Sequence, residues 1–324
     1  MDKIKISLCI CCWNTAHLLK RSIVTYANQD FPKENWELII IDDNSFDDVY
    51  SVIEPYMDKI NIRYLRLEHS FGMRGNTVAF NTAFAGTRGE YIAETTAETM
   101  FHKNTVRILY ETHLNKPHSF VAMKTYNLTP ELQLKIDDAD WQSDIMNISK
   151  LDGWNSPWVQ ANVANTNFRT HQTCSIKKDL FYLIWKDTRN SDGYCLFMDY
   201  GTDDPTYSHT RELANINDIT IMEQMVIHQW HLPFQYWQSK GYAPYLNKFA
   251  HTMCNIGFDK SGQVPEGGTC EIWDAGSHEL LSEAEKLEWS KWDETLKKQG
   301  CTIDLSPIHI FDSIIPFDKS TWIL

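Results

Sequence analysis

The sequence contains no feature of a membrane span, a secreted disulfide scaffold or a nucleic-acid-binding surface. No apolar run approaches the roughly 20 residues that cross a bilayer, and no signal-peptide pattern precedes the first apolar stretch. The 30 lysines and arginines form no block and are outnumbered by 43 aspartates and glutamates, which gives a net charge of -13. Because nonspecific nucleic-acid binding depends on clustered cations, this balance disfavours a polyanionic partner. We therefore expect a soluble, cytoplasmic protein without a transmembrane segment.

Two common phosphate-binding motifs are missing as well, and so are the paired Cys-x-x-Cys motifs of structural zinc sites. The eight cysteines are scattered except for Cys9, Cys11 and Cys12, which share one apolar stretch, so we expect reduced thiols. Without Gly-x-Gly-x-x-Gly or a P-loop, a bound phosphate must be neutralised in another way. The usual alternative is a divalent ion held by carboxylates.

What the sequence does contain, over residues 1–125, is an alternation of short apolar runs with amphipathic stretches. Ile4–Cys12 and Trp36–Asp42 are almost continuously apolar, which is typical of strands in a parallel sheet covered on both faces. Apolar residues at helical spacing follow over 16–28 and 47–60. Strands that alternate with helices predict an α/β fold with a mostly parallel, Rossmann-like sheet and helices on both faces.

The pattern changes twice along the rest of the chain, and each change marks a predicted part. The periodicity fades over 126–258, where tryptophan and asparagine accumulate, and we interpret this part as the second half of the same domain with functional loops. Residues 259–324 form a predicted C-terminal extension. It contains one expected helix over 282–299, with Ser282 as its N-cap and Gly300 as its stop.

Polar residues follow three of the predicted strands. The first strand leads into Cys12–Asn14, the second into Asp42–Ser45 and the fourth into Thr95–Glu98. In an open α/β sheet, ligands bind outside the carboxyl ends of the strands, so these residues are candidates for a binding site. Glu98, together with His102 or with a more distant histidine, offers oxygen and imidazole ligands for a divalent metal.

Four segments of the N-terminal half occur in a recognisable order. Ile6–Asn14 is similar to a strand that ends in Pro-Thr-Tyr-Asn, and Leu38–Ser45 is similar to an apolar strand that ends in Asp-Asp-x-Ser. Gly75–Asn81 and Gly89–Ile92 are similar to a Gly-x-x-x-x-Arg-Asn helix and a Gly-Glu-Tyr-Ile strand. In this order they resemble the nucleotide-sugar-binding domain of family 2 glycosyltransferases, which implies a GT-A fold and a nucleoside diphosphate sugar as donor.

The resemblance implies a donor site at the ends of the first two strands. Cys11, Trp13 and Asp43 would line the nucleoside pocket, where the aspartate accepts the N3–H of a uracil-like base and the indole packs on the ring. The alternatives are core packing for the first two residues and a helix cap for the aspartate. Phe80 stands where the family commonly has an arginine, and Arg74 is the substitute for a diphosphate contact.

The metal motif departs from the family. Thr96–Glu98 aligns with its Asp-x-Asp, so that Glu98 is the one remaining carboxylate ligand for Mn²⁺ or Mg²⁺. The pair His228 and His231 resembles the family's His-x-x-His, whose second histidine completes the metal shell, so we predict His231 as a ligand. His102 is either a further ligand or a structural residue. A degenerate site would make the protein metal-independent or inactive.

The catalytic base is expected in an acidic segment of the second half. Gly201–Asp204 resembles the acidic motif of the family, and a carboxylate there would take the proton of the acceptor hydroxyl in an inverting transfer. Asp204 is the predicted base, and Asp203 would orient the acceptor or the base. The alternative is a turn, since the sequence Gly-Thr-Asp-Asp-Pro is also typical of one.

Three of the 12 tryptophans are predicted to bind the acceptor. Trp154, Trp158 and Trp230 flank the motifs above, and indoles stack on the apolar faces of sugar rings; packing in the core is the alternative. The sequence therefore predicts a metal-dependent glycosyltransferase that moves a hexose or pentose from a UDP-linked donor to a glycan hydroxyl. Two further hypotheses stay open, namely a glycosyltransferase whose acceptor is a hydroxylated base of viral DNA, and a non-catalytic module that binds a sugar or nucleotide.

Overall fold

Eight strands form one sheet in the part of the chain that the computed structural model describes, which is residues 4–67, 79–80, 83–84, 86–154, 173–181, 215–242 and 282–306. The order across the sheet is β3-β2-β1-β4-β7-β6-β8-β5. The strands are β1 Ile6–Cys12, β2 Trp36–Asp42, β3 Ile62–Arg66, β4 Tyr91–Thr96, β5 Thr99–Met100, β6 Ser119–Asn127, β7 Thr173–Lys177 and β8 Asn217–His228.

The first half of the sheet is parallel and the second half is mixed. Strand β1 pairs in parallel with β2 and β4, and β2 pairs in parallel with β3. Strand β7 runs antiparallel to both β4 and β6, whereas β8 is parallel to β6 and antiparallel to β5. The carboxyl ends of β1, β2 and β4 therefore meet at one edge. The predicted α/β class and mostly parallel sheet are confirmed.

The described helices differ from the predictions at two places. The predicted helix over 47–60 is a short α-helix followed by a 3-10 turn, Glu54–Tyr56, because Pro55 has no N–H to continue the α-helical hydrogen bonds. The predicted helix over 282–299 has the expected N-terminal capping box but is interrupted at 291–292. The helices are α1 Ala16–Ala27, α2 Val49–Ile53, α3 Thr105–Asn115, α4 Pro130–Leu134, α5 Phe234–Ser239, α6 Glu283–Ser290 and α7 Asp293–Lys298.

Alternate residues of β1 bury opposite faces of the sheet, which explains why six of its seven residues are apolar. Ile6, Leu8 and Ile10 pack in a cluster with apolar residues of α1, including Ile23. Cys9 points into a second cluster, on the other face, with helical residues such as Phe84. Burial raises the pKa of the Cys9 thiol, and it forms no disulfide. Helices thus cover both faces, as the sequence predicts.

The backbone before β4 approaches β1 so closely that only glycine fits. The Gly89 N–H donates to Ser7 Oγ at 2.8 Å, and a Cβ atom at this position would lie 2.6 Å from the Ser7 backbone nitrogen. We expect Gly89→Ala to lower the free energy of unfolding by about 2–3 kcal/mol, since backbone atoms must move to admit the methyl group. Urea denaturation monitored by circular dichroism measures this loss.

Gly300 provides the matched control for Gly89→Ala. It has a positive φ of 87°, but no atom of the described residues lies within 4 Å of the position that an added methyl group would occupy. Gly300→Ala therefore costs only the conformational strain, about 1 kcal/mol. Equal losses for the two variants would contradict the close approach of β1 at Gly89.

Among the helices of the described residues, none combines the length and apolarity needed to cross a membrane.

Candidate active site

Two turns at the carboxyl edge of the parallel strands are tied to each other. Asn14, after β1, and Asn44, after β2, both adopt a positive φ, which asparagine tolerates better than most residues. The Asn14 side chain accepts a hydrogen bond from the Phe46 N–H at 2.8 Å, and the Asn14 N–H donates to Ser45 Oγ at 3.1 Å. These contacts fix the ends of β1 and β2 side by side, where the sequence predicts the donor site.

Strand pairing places Glu98 beside His228. Glu98 lies in the tight turn between β4 and β5, and β5 pairs with the end of β8 so that Thr99 is opposite His228. The Gln229 N–H continues this pairing and donates to the Glu98 carbonyl oxygen at 3.1 Å. Residues that are 130 positions apart in the sequence therefore share one corner of the sheet.

Glu98 lies against two imidazoles. Its Oε1 is 3.2 Å from His228 Nε2 and 3.4 Å from His231 Nε2. The three ligand atoms lie within 4.8 Å of one another, which makes these residues a candidate metal centre. Ligand atoms bonded to one ion at about 2.1 Å lie about 3.0–3.4 Å apart in octahedral or tetrahedral geometry, so the separations match a divalent ion.

The hydrogen bond of His231 leaves its Nε2 available as a metal ligand. Its Nδ1 is 2.9 Å from the Leu232 carbonyl oxygen, and since a carbonyl only accepts, Nδ1 carries the proton. In the neutral ring, Nε2 then directs its lone pair at the carboxylate of Glu98. Two lone pairs that face each other repel unless a proton or a metal ion lies between them. A backbone contact that fixes the tautomer in this way is typical of metal-binding histidines.

The charge state of the centre suits metal binding. Burial raises the pKa of Glu98, but the hydrogen bond with His228 and the charges of His231 and His228 outweigh it and lower the pKa to about 2. Burial lowers the pKa of His228, whereas the hydrogen bond and the charge of Glu98 raise it. An ionised carboxylate and neutral imidazoles are the forms that bind a metal ion.

Gln229 holds the centre against helix α1. Its side chain is buried, and its Nε2 lies within hydrogen-bond distance of the carbonyl oxygens of Leu18 and Glu98, at 3.0 and 3.1 Å, and of Ser22 Oγ, at 3.1 Å. The Gln133 amide lies against its Oε1 at 3.3 Å. Gln229 therefore couples the turn that carries Glu98 to the first turns of α1.

Comparison with family models supports the resemblance that the order of these sequence segments indicates. The family model described as Glycosyl transferase family 2 matches residues 7–149 of the chain. Residues 7–149 thus form a family 2-like glycosyltransferase domain. The resemblance deduced from the strand ends is thereby confirmed. The domain includes Glu98, whereas His228 and His231 follow it in the chain.

Two curated relatives are similar to parts of this domain. The poly(ribitol-phosphate) beta-N-acetylglucosaminyltransferase TarS of Staphylococcus aureus is 27% identical over 103 residues, which cover 32% of this chain and 18% of TarS. A dolichyl N-acetyl-alpha-D-glucosaminyl phosphate 3-beta-D-2,3-diacetamido-2,3-dideoxy-beta-D-glucuronosyltransferase of Methanococcus voltae is 29% identical over 86 residues, which cover 26% of each chain. The match thus spans about a quarter or less of each relative.

Solved structures share the fold of the family 2 domain and its surroundings. The crystal structure of S. aureus TarS 1-349 in complex with UDP-GlcNAc has a TM-score of 0.53 and 16% identity, and the match covers 91% of this chain and 72% of that one. The mannosyltransferase PcManGT from Pyrobaculum calidifontis, in complex with GDP-Man and Mn²⁺, has a TM-score of 0.50 and 15% identity, with coverages of 93% and 74%. The fold is therefore GT-A.

The structure brings the predicted donor residues to one edge of the family 2 domain. Cys11 is half-buried near the end of β1, and Asp43 is buried, with its N–H donating to the Cys12 carbonyl oxygen at 2.9 Å. Trp13 is 9% exposed and packs edge-to-face on Trp237, with ring centroids 5.8 Å apart. Their contact with a nucleoside stays a prediction.

Two of the predicted acceptor tryptophans lie in aromatic contacts. Trp154 stacks on Tyr126, with ring centroids 3.7 Å apart and an angle of 12° between the planes. Trp230 packs on Trp292 of the C-terminal segment at 5.2 Å, and its carbonyl accepts a hydrogen bond from Gln299. One face of each indole is thus in use within the protein. Acceptor binding by these residues stays a prediction.

Other predicted residues lie outside the described part of the chain. They are Arg74, Trp158, Asp203 and Asp204. His102 is described, and it lies apart from the metal centre: its Nδ1 is 2.6 Å from Asn104 Oδ1 and its Nε2 is 3.8 Å from Asp144. These contacts correspond to the structural role that the sequence left open for it.

Sequence reasoning assigned the metal site to Glu98 and His231 and left out two residues. The His-x-x-His spacing suggests His228 as a second ligand, but only the strand pairing shows that His228 contacts the same oxygen of Glu98 as His231 does. Gln229 carries no sequence signal of its role, because its partners come from three separate segments.

Proposed function

We propose that this protein is a metal-dependent glycosyltransferase that moves a sugar from a nucleoside diphosphate donor to a hydroxyl group of a glycan. The observation that carries the proposal is the cluster of Glu98, His228 and His231 at the ligand-binding edge of a family 2 domain. Both named relatives are transferases that act on sugars, which supports the same chemistry here.

The cation is the first element of the proposal. Glu98, His228 and His231 fit a divalent ion such as Mn²⁺ or Mg²⁺ by their separations, and PcManGT, which has the same fold, has been solved with Mn²⁺. When bound, such an ion neutralises the diphosphate of the donor and stabilises it as the leaving group. The three side chains contribute one negative charge, so the ion keeps a net positive charge toward the phosphates.

The donor is proposed to be UDP-linked. TarS has been solved in complexes with UDP-GlcNAc and with UDP, and its fold matches that of this chain. Asp43 is buried at the end of β2 next to the residues after β1, where a carboxylate is suited to accept the N3–H of a uracil ring. Cys11, Trp13 and Arg74 complete the proposed donor site.

The acceptor side is proposed to lie in 126–258. Asp204 would take the proton of the acceptor hydroxyl while its oxygen attacks the anomeric carbon, and the nucleoside diphosphate leaves with the bonding electron pair. Asp203 would orient the acceptor or the base, and Trp154, Trp158 and Trp230 would pack on its sugar rings. Attack from the side opposite to the leaving group inverts the anomeric configuration.

Hydrolysis and binding of UDP-sugars test the function. We expect slow release of UDP from at least one of UDP-glucose, UDP-GlcNAc and UDP-galactose in the presence of Mn²⁺, with much less release in EDTA. Calorimetry measures UDP affinity in the same two buffers. If the protein neither hydrolyses these donors nor binds UDP, the proposal is wrong. Binding without hydrolysis or transfer to any glycan would favour a non-catalytic module.

Acceptor preference is tested separately. Transfer from the preferred donor to a panel of glycans is compared with transfer to duplex DNA that contains hydroxymethylated bases. The net charge of -13 leads us to expect glycan products only, because DNA would be repelled by the acidic surface. If the protein glycosylated the modified DNA and shifted the modified duplex in a gel, the acceptor would be DNA and not a glycan.

A further inference from the structure

None of the roles above uses His17, a half-buried histidine whose ring lies within electrostatic range of Glu98 and His231. It lies in the first turn of α1, between two anchored neighbours. The Ala16 N–H donates to the Asp47 carboxylate at 2.8 Å, and the Leu18 carbonyl oxygen accepts from Gln229 at 3.0 Å. Because Gln229 also binds the Glu98 carbonyl, the backbone of His17 is connected to the metal centre by a single side chain.

The imidazole of His17 has two hydrogen-bonding atoms and uses neither. Nδ1 and Nε2 are both shut off from solvent, and neither has a hydrogen-bond partner among the described residues. Burial, together with the charges of His231 and Arg21, lowers the pKa of His17 to about 4, while the charge of Glu98 opposes them. The ring is therefore neutral at pH 7 and lies within electrostatic range of both ligands.

An unpartnered polar atom in the interior costs about 1–3 kcal/mol, so a function is the expected reason to retain it. We propose that His17 is a third imidazole ligand of the cation held by Glu98, His228 and His231, which rests on the proposed metal dependence. Its nitrogens lie outside the 4.8 Å that encloses the other ligand atoms. Ligation therefore requires a rotation of the side chain, and no hydrogen bond from the described residues opposes this rotation.

The additional nitrogen changes which ion the site prefers. Three imidazoles and one carboxylate form a nitrogen-rich set, whereas Mg²⁺ and Ca²⁺ prefer oxygen ligands. The site should therefore bind Mn²⁺, Co²⁺ or Zn²⁺ well and discriminate strongly against Mg²⁺. The single remaining carboxylate of the Thr96–Glu98 segment is consistent with this preference, since imidazoles take the place of the missing acidic group.

Metal titrations of the full chain test the ligand role. We expect Mn²⁺ affinity, measured by calorimetry without nucleotide, to fall at least tenfold in His17→Gln and in His17→Phe. His113→Gln is the matched control, because burial also lowers the pKa of His113 to about 4 and its Nδ1 is also unpartnered among the described residues. It lies on α3 with its Nε2 2.8 Å from Ser175 Oγ, and its substitution should leave Mn²⁺ affinity unchanged.

A spectroscopic count of nitrogen ligands remains informative if a variant folds poorly. Electron spin echo modulation of bound Mn²⁺ should report three coordinated imidazoles in the parent protein and two in His17→Gln. Two imidazoles in the parent, or unchanged affinity in both His17 variants, would overturn the ligand role while leaving the cation site in place. A parent protein that binds no Mn²⁺ would overturn the cation site as well, and donor hydrolysis in EDTA would then tell whether the transferase proposal survives.

Discussion

Glu98→Gln is expected to abolish Mn²⁺-dependent sugar transfer, with a loss in kcat/KM of about 1,000-fold, because it removes the only carboxylate that faces the two imidazoles at the metal centre in the described part of the chain. The amide has the same size, so the fold should persist. UDP affinity should fall in Mn²⁺ and stay the same in EDTA. Initial-rate kinetics and calorimetry in the two buffers measure these effects.

Glu111→Gln is the control for this substitution. Glu111 is an exposed residue of α3 whose ion pair with Arg107 lies on the surface, where such pairs contribute little. Its variant should match the parent protein in transfer and in UDP affinity. If Glu98→Gln kept the UDP affinity of the parent protein both in Mn²⁺ and in EDTA, Glu98 would not be a metal ligand.

Asp204→Asn is expected to lower kcat by about 1,000-fold or more while UDP affinity changes less than twofold. An amide cannot take a proton from the acceptor hydroxyl, and the removal of a general base costs about 100- to 10,000-fold. A base in this role acts on the acceptor hydroxyl and not on the nucleotide, so donor binding should persist. The measurements are initial rates with saturating acceptor and calorimetric titration with UDP.

Asp203→Asn separates the base from its neighbour. If Asp203 orients the acceptor, its variant should raise the acceptor KM more than it lowers kcat, and high acceptor concentration should restore the rate. A loss of UDP binding in Asp204→Asn would contradict the base assignment, and so would transfer at the parent rate. A larger kcat defect in Asp203→Asn than in Asp204→Asn would exchange the two roles.

The elements of the N-terminal half could be predicted from sequence because their signals are local. Trp36–Asp42 is a strand with the bounds that its apolar run predicts, and the α1 prediction differs by one residue at its end. Both faces of the sheet are covered, so β1 and β2 are apolar at most positions and their limits are sharp. The break at 291–292 in the C-terminal helix had no such signal, since Trp292 is placed there by packing on Trp230.

The candidate site could be predicted only in part, because its residues are brought together by the register in which the strands pair. Within β6 and β8 the pairing shifts after Met123, so that Lys124 is opposite Met225 instead of continuing the previous register. This irregularity determines which residue of β8 reaches β5, and thereby brings His228 to Glu98. A pattern of single residues contains no information about such a shift. His17 was missed for a related reason, since a histidine in an amphipathic helix is ordinary until its surroundings are known.

The aromatic cluster around Trp13 has a consequence for how the chain is made. Trp13 follows the first strand, yet its cluster includes Leu296, Ile303 and Leu305 near the other end of the described residues. While the polypeptide is still emerging from the ribosome, the indole has to wait for these partners, and contacts so distant in sequence form slowly. The nascent chain therefore leaves part of the aromatic surface beside the predicted donor site uncovered until Leu305 has been added.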